Sequence, residues 1–260
     1  MSDICRSYRL RIHDERRRLT HLSPPSTSSL MRLFRLSYFF LPTTGSSGQS
    51  PALTTLKQCL HLDPDSKPCL SAHRIVKSFD KSFAKLESLL SEEDWWGIIK
   101  LLVGTGKDKD NALARKFDEA MESNTSREQL LGTTSARVPF PSPSKFSPRR
   151  QDIVRAVCRA YVHLSDARHA ERWCDTLLRM EGAENDQDGL VGKAEALLLK
   201  EDWEEAVRML EKAFSASGRS NRDVRFCLTL MRNVLTSGLD SCAIAESSKA
   251  VEAVETKGLL

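Results

Sequence analysis

The stretch LVGKAEALLLKEDWEEAVRMLEKA, residues 190–213, decides the fold of this chain. Small residues stand at Ala194 and Ala206, and larger apolar residues recur three or four positions from each of them, with Lys193 as the one misfit. This spacing suits two antiparallel helices, because small residues let the backbones approach closely while larger residues fill the flanks. Trp203 falls in the turn between the helices. The stretch therefore predicts a helical hairpin.

The same spacing recurs upstream, which makes the chain a repeat protein. Residues 154–174 follow it with Ala170 placed 36 positions before Ala206, close to the period of about 34 residues in tetratricopeptide repeats. A third copy spans residues 33–59, and a fourth, weaker copy joins the apolar stretch 69–90 to a helix that follows an acidic turn. The signature positions are Ser37, Ala52, Trp95, Ala170, Ala194, Trp203, Ala206 and Ala213. Since about three such repeats bury a continuous core, we predict an all-α, right-handed superhelix of antiparallel helix pairs.

Composition and periodicity divide the 260 residues into five segments. These are a basic, poorly defined N-terminal segment (1–28), a first set of tetratricopeptide repeats (29–122), a Ser/Pro-rich linker or exposed loop (123–150), a second set of repeats with a capping helix (151–235) and a flexible tail (236–260). The linker is assigned because it is rich in Ser, Thr and Pro and has little apolar periodicity.

The charge pattern argues against two kinds of partner. The net charge is +4, and six arginines crowd residues 6–18, but no aromatic residues are interleaved in the manner of a nucleic-acid-binding module. We therefore predict a solvated helix face or frayed terminus there, and no nucleic-acid partner. No apolar run reaches the roughly 18 residues of a membrane span. The apolar stretch 30–41 is interrupted by Arg32 and Arg35 and keeps helical spacing, so it predicts a repeat helix instead of a secretory signal.

The chain also lacks the short motifs of common enzymes. It contains no Gly-rich phosphate-binding loop, no G-x-S-x-G nucleophile elbow and no Cys/His cluster with zinc spacing. We predict a protein with no enzymatic activity, no cofactor and no metal.

Four of the seven cysteines occupy paired positions in the repeats. Cys59 and Cys69 flank the turn LHLDPDSKP, and Cys158 and Cys174 stand 16 residues apart across a predicted hairpin. Either pair can reach the Cα separation of about 4.4 to 6.8 Å that a disulfide needs. Alternatively, all four are buried, reduced thiols, since free cysteine is among the most buried residue types. The spacing leaves both states open.

A family resemblance rests on these cysteine spacings and on the acidic-aromatic turns at residues 93–95 and 201–203. Residues 29–235 resemble the central and C-terminal repeats of the endoplasmic-reticulum tetratricopeptide-repeat and J-domain co-chaperones, the fungal relatives of the animal PKR-inhibitor co-chaperone. The resemblance implies a bent array of repeats that binds unfolded client polypeptides and passes them to the Hsp70 chaperone of the lumen. Because that compartment is oxidising, the resemblance implies the disulfides Cys59–Cys69 and Cys158–Cys174. In the same compartment, the sequon at Asn124 is a candidate for glycosylation.

The sequence departs from that family at the J domain, whose His-Pro-Asp loop stimulates Hsp70. None of the six histidines in the chain precedes a proline, and no secretory signal is visible. We therefore expect a truncated member, an alternative transcript or an incomplete gene model, which holds clients without J-domain activity.

A cytoplasmic tetratricopeptide adaptor for acidic C-terminal peptides is the alternative. Such a protein needs basic and amide side chains along the inner helices. Arg155 and Arg159 supply them in one repeat, but Val191 and Glu195 stand at the equivalent positions of the next. The predicted carboxylate clamp is incomplete.

Overall fold

The computed structural model describes residues 14–19, 21, 25–41, 51–126, 129–130 and 143–217. Its α-helices are α1 (Thr27–Phe40), α2 (Pro51–Leu62), α3 (Lys67–Ser91), α4 (Trp95–Leu102), α5 (Leu113–Asn124), α6 (Pro148–His163), α7 (Ala167–Leu178), α8 (Gln187–Leu198) and α9 (Trp203–Ala216). Short 3₁₀ helices span Gly106–Asn111 and Pro143–Lys145, and residues 14–19 are helical. No residue within the described ranges lies in a β-strand. The predicted all-α class is confirmed.

The helices pack as the repeat spacing predicts. Consecutive helices contact each other in the pairs α1/α2, α3/α4, α6/α7 and α8/α9, and α7 also packs against α8. Helix α4 packs against α6, although α5 and residues 125–147 intervene in the chain. The two sets of repeats therefore share one core, whose buried residues range from Leu19 to Ala196.

The turns inside three of the helix pairs have the same structure. Glu93, Ser165 and Glu201 each adopt a positive φ, at 56°, 55° and 63°. In each turn the next residue, an aspartate, donates its backbone N–H to a carbonyl oxygen five residues earlier at 3.0 Å. This is the Schellman arrangement, which satisfies the last carbonyls of a helix. The aspartates Asp94, Asp166 and Asp202 then cap the second helix, because each side chain accepts the N–H three residues on.

The core of the first repeats contains a cluster of aromatic side chains. Phe39 of α1 and Phe79 and Phe83 of α3 surround Phe117 of α5 at ring-centroid distances of 5.5 to 6.0 Å. Phe117 is fully buried, and such tilted and edge-to-face pairs contribute stability beyond their buried area. Helix α5 is thereby fixed to the first repeats.

Both neighbouring helices extend a short way into the predicted linker at 123–150. Helix α5 continues to Asn124, and α6 already begins at Pro148, where Ser147 is the N-cap and accepts the N–H of Arg150. Ser and Pro are common in loops, so composition alone predicts a loop at residues 147–148. A proline that directly follows a serine N-cap, however, is typical of the first position of a helix. Thr125, Leu130 and Ser147 are buried, so these described parts of the segment pack as core and not as an exposed loop.

Part of the predicted N-terminal segment, residues 14–19, packs against the repeats. Within the helical residues 14–19, Leu19 is buried in the core, and Glu15 forms an ion pair with Arg32 of α1 at 2.5 Å. Helix α1 begins at Thr27 with a capping box at Ser26, two residues before the predicted boundary. The predicted capping helix and tail, residues 218–260, lie outside the described residues.

Candidate functional site

The signature positions lie where the helices touch. The five alanines are buried at these contacts: Ala52, Ala170, Ala194, Ala206 and Ala213. Ser37 is half-buried and donates its hydroxyl to the carbonyl oxygen of Phe34. Trp95 and Trp203 are the first residues of α4 and α9, and both are half-buried over their turns.

The misfit at Lys193 has a structural explanation. Its ammonium group forms an ion pair with Asp175 of α7 at 2.7 Å, and both side chains are mostly shielded from solvent. A charge therefore joins α8 to α7 at a position that the repeat pattern reserves for an apolar residue.

The structure joins the four cysteines in the two pairs that the family resemblance implies. Cys59 near the end of α2 is joined to Cys69 near the start of α3, with Cα atoms 6.2 Å apart. Cys158 of α6 is joined to Cys174 of α7, with Cα atoms 5.0 Å apart. All four residues are completely buried. The first pair links two successive repeats, and the second links the two helices of one repeat.

An aromatic stack holds the start of α4 against the end of α6. The rings of Trp95 and His163 are parallel, with centroids 4.0 Å apart. The guanidinium of Arg159 lies 6.0 Å from the centre of the Trp95 ring. Partial burial, together with the charge of Arg159, lowers the pKa of His163, and Glu93 opposes this shift. The neighbouring Trp96 is 64% exposed, the most exposed large apolar side chain in the described ranges.

One of the two arginines that the acidic-peptide clamp would use, Arg155, is already paired with carboxylates. Arg155 donates to Asp186 at 2.8 Å and to Asp152 at 2.7 Å, and it lies 3.8 Å from Asp188. Asp186 also caps α8, so the guanidinium ties α6 to the start of the next repeat. The role of Arg155 in this structure is to connect repeats.

The sequence prediction placed the sequon residue Asn124 in an exposed linker or loop. The structure places it at the end of a helix instead. It is the last residue of α5, and its amide nitrogen donates to the carbonyl oxygen of Ala120 at 2.8 Å. Thr125, the middle residue of the sequon, is buried. A glycan at this nitrogen would have to replace a helix-terminal hydrogen bond.

Sequence reasoning missed the buried arginine at the start of α6. The guanidinium of Arg149 lies 4.2 Å from the centre of the Tyr38 ring and 3.5 Å from the carboxylate of Asp80. Burial raises the pKa of Asp80, and the charge of Arg149 and a hydrogen bond from Tyr38 oppose that shift. Only the Ser-Pro helix start before Arg149 hinted that this residue belongs to a helix.

The described residues contain no group of three or more His, Cys, Asp or Glu side chains that is able to hold a metal ion. In the same ranges, no helix combines the length and the apolar character that crossing a membrane requires. The surface instead presents a few large apolar side chains at helix ends: Leu62, Trp96 and Leu199.

The stacked helix pairs, closed by repeated turns and packed on buried alanines, define a tetratricopeptide-repeat protein. The crystal structure of the tetratricopeptide-repeat domain of P58(IPK) has the same fold, with a TM-score of 0.56 and 19% sequence identity. The match covers 88% of this chain and 52% of that one. No protein-family model matches the chain.

Three curated relatives carry the name tetratricopeptide repeat and J domain-containing co-chaperone DNJ1. The protein of Cryptococcus neoformans var. grubii is 33% identical over 210 residues, 80% of this chain. Those of Mycosarcoma maydis and Fusarium oxysporum f. sp. lycopersici are 32% and 27% identical over 85% and 74% of the chain. The resemblance found in the sequence is confirmed, and the chain is a relative of these co-chaperones. It spans 37%, 38% and 33% of their respective lengths. Their class is non-enzymatic, in agreement with the prediction from the missing motifs.

Proposed function

We propose that this chain binds unfolded client polypeptides and assists Hsp70-dependent protein folding. The observation that carries the proposal is the match of three proteins named as co-chaperones to at least 74% of the chain. A stacked array of helix pairs also provides an extended surface for a flexible partner. The exposed side chains of Leu62, Trp96 and Leu199 supply apolar contacts for the hydrophobic segments of such clients.

The proposed compartment is the lumen of the endoplasmic reticulum. Disulfides persist in oxidising compartments and are rare in the cytosol. The arrangement of Cys59 with Cys69 and of Cys158 with Cys174 supports oxidised pairs in the native protein. Among the described residues, no metal-binding group offers another explanation for the closeness of the cysteines in either pair.

The activity proposed for the repeats of this chain is client holding. Stimulation of the ATPase requires a His-Pro-Asp loop in the family, and none of the histidines in this sequence is followed by proline. The polypeptide of this sequence is expected to leave the ATPase rate of a lumenal Hsp70 at its basal value.

The test is an aggregation assay with a chemically denatured model enzyme as client. The purified chain, with its cysteines kept oxidised, is expected to slow light scattering at near-stoichiometric ratios. The variant Trp96→Ser is expected to lose part of this effect. A matched Glu204→Ser change at another exposed helix start is expected to retain it. Unchanged aggregation with the parent chain would contradict client binding, and stimulation of the ATPase would contradict the holding role.

The cytoplasmic adaptor is tested by the redox state of the same protein. Free thiols at all four paired cysteines, in protein taken from its native cell, would contradict the lumenal proposal and favour the adaptor. The neutralised environment of Arg155 argues against that alternative.

A further inference from the structure

One face of the 25-residue helix α3 carries only positive charges. Five exposed side chains form this α3 basic row: Lys67, Arg74, Lys77, Lys81 and Lys85. At about 100° per residue they fall within roughly 80° of the helix circumference. The buried residues of α3 are centred on the opposite side: Cys69, Ala72, Val76, Phe79 and Leu86.

No member of the α3 basic row forms an ion pair with another described residue. The two acidic residues of the helix, Asp80 and Glu87, lie outside the row. Asp80 faces Arg149 on the inner side, and Glu87 projects about 120° away from Lys81. Arg74, Lys77, Lys81 and Lys85 follow each other at intervals of three or four residues, so each neighbouring pair brings like charges together. Such pairs destabilise a helix in the absence of an anionic partner.

We propose that the α3 basic row binds an acidic segment of a partner polypeptide in an extended conformation. The row is one side chain wide and runs over 18 residue steps, about 27 Å along the helix axis. An extended peptide of about eight residues covers that length. Aspartate and glutamate side chains of such a segment pair with the lysines and arginine and relieve the repulsion between them.

The structure favours a polypeptide over the two other common polyanions. Binding at a lipid surface combines basic residues with apolar side chains that enter the bilayer. The large exposed apolar residues, Leu62, Trp96 and Leu199, all lie outside α3. Single-stranded nucleic acid is bound through aromatic platforms between the cations, and no aromatic residue stands in the row.

This inference goes beyond the proposed chaperone function and does not depend on it. Client holding rests on apolar contacts, whereas the α3 basic row selects for charge. The aggregation assay with a client that has no acidic segment tests the former and is expected to be insensitive to the row.

The experiment measures binding of an acetylated Asp/Glu/Ser peptide of about ten residues to the whole chain by titration calorimetry. Neutralising the row with Arg74→Gln, Lys77→Gln, Lys81→Gln and Lys85→Gln is expected to weaken binding at low ionic strength by at least about tenfold. The parent affinity is expected to fall as salt approaches about 0.15 M, where the screening length is about 8 Å. Thermal stability of the variant is expected to be equal or higher, because like-charge pairs are removed.

The matched control removes four other exposed cations by Lys116→Gln, Arg168→Gln, Arg172→Gln and Lys212→Gln. This change alters the net charge equally and is expected to affect peptide binding by less than about twofold. An equal loss in both variants would show a net-charge effect and overturn the site. Absence of peptide binding by the parent chain would also overturn it. So would tighter binding of phosphatidylcholine vesicles with about 30% phosphatidylserine, or of a single-stranded oligonucleotide.

Discussion

A Cβ atom on Gly192 would lie only 3.0 Å from the Sγ atom of Cys174. The same position would be 3.1 Å from the Sγ atom of Cys158. Helix α8 therefore approaches the cysteine pair of the preceding repeat as closely as a glycine allows. The sequence pattern indicates the alanines at helix contacts but gives no sign of this glycine contact.

Replacement of Gly192 by valine is expected to destabilise the fold by about 1 to 3 kcal/mol, since a close-packed site has no room for a branched side chain. Denaturant unfolding measures the change. Ala84→Val, at an exposed position of α3, is the control and is expected to cost no more than about 0.7 kcal/mol. Equal costs at the two positions would contradict the close approach of α8.

Replacement of Ala206 by leucine tests the contact between the helices of the last described repeat. Ala206 is fully buried, and the added atoms are expected to overpack the contact by about 1 to 3 kcal/mol. Ala216→Leu at the exposed end of α9 is the matched control. A thermal midpoint that stays unchanged in Ala206→Leu would contradict the packing of this face of α9 against α8.

The cysteine pairing is tested by peptide mapping without reductant. Peptides that contain Cys59 and Cys69, and others that contain Cys158 and Cys174, are expected to be linked, while Cys5, Cys227 and Cys242 stay outside the framework. Changing Cys158 and Cys174 together to alanine opens a loop of 16 residues and is expected to cost about 2 to 4 kcal/mol. A variant as stable as the oxidised parent would contradict a stabilising crosslink.

The stack of His163 on Trp95 predicts a pH dependence. The pKa of His163 in the folded protein lies below its ordinary value of about 6.5, because partial burial and Arg159 disfavour the charged ring. The unfolded chain therefore binds more protons near pH 6, and stability falls as pH decreases through about 6.5 towards the folded pKa. His163→Phe keeps a stacking ring and is expected to lose less stability between pH 7.5 and 5.5, measured by thermal unfolding. Identical slopes for both proteins would contradict this role of His163.

The repeats themselves were predictable because their contacts repeat along the sequence. The alanines at 170, 194 and 206 are spaced by helix geometry, so their burial follows from local periodicity. The limits of the Ser/Pro-rich segment were not predictable from composition, because capping at Ser147 depends on one side chain and not on an average.

The burial of Arg149 was beyond prediction for a different reason. Its partners Tyr38 and Asp80 come from helices that precede it by 111 and 69 residues. No periodic signal connects positions so far apart. Likewise, the charge of Lys193 departs from the repeat pattern in sequence, and only the folded chain brings Asp175 beside it.

The three turns with a left-handed residue make the repeats exchangeable. Glu93, Ser165 and Glu201 are separated by 72 and 36 residues, which are whole multiples of one unit. A duplication or deletion of the 36 residues between Ser165 and Glu201, or of the 72 residues between Glu93 and Ser165, would rejoin the chain within a turn of the same backbone geometry. We expect gene rearrangement to lengthen or shorten this array in complete units, with the turns as the points of recombination.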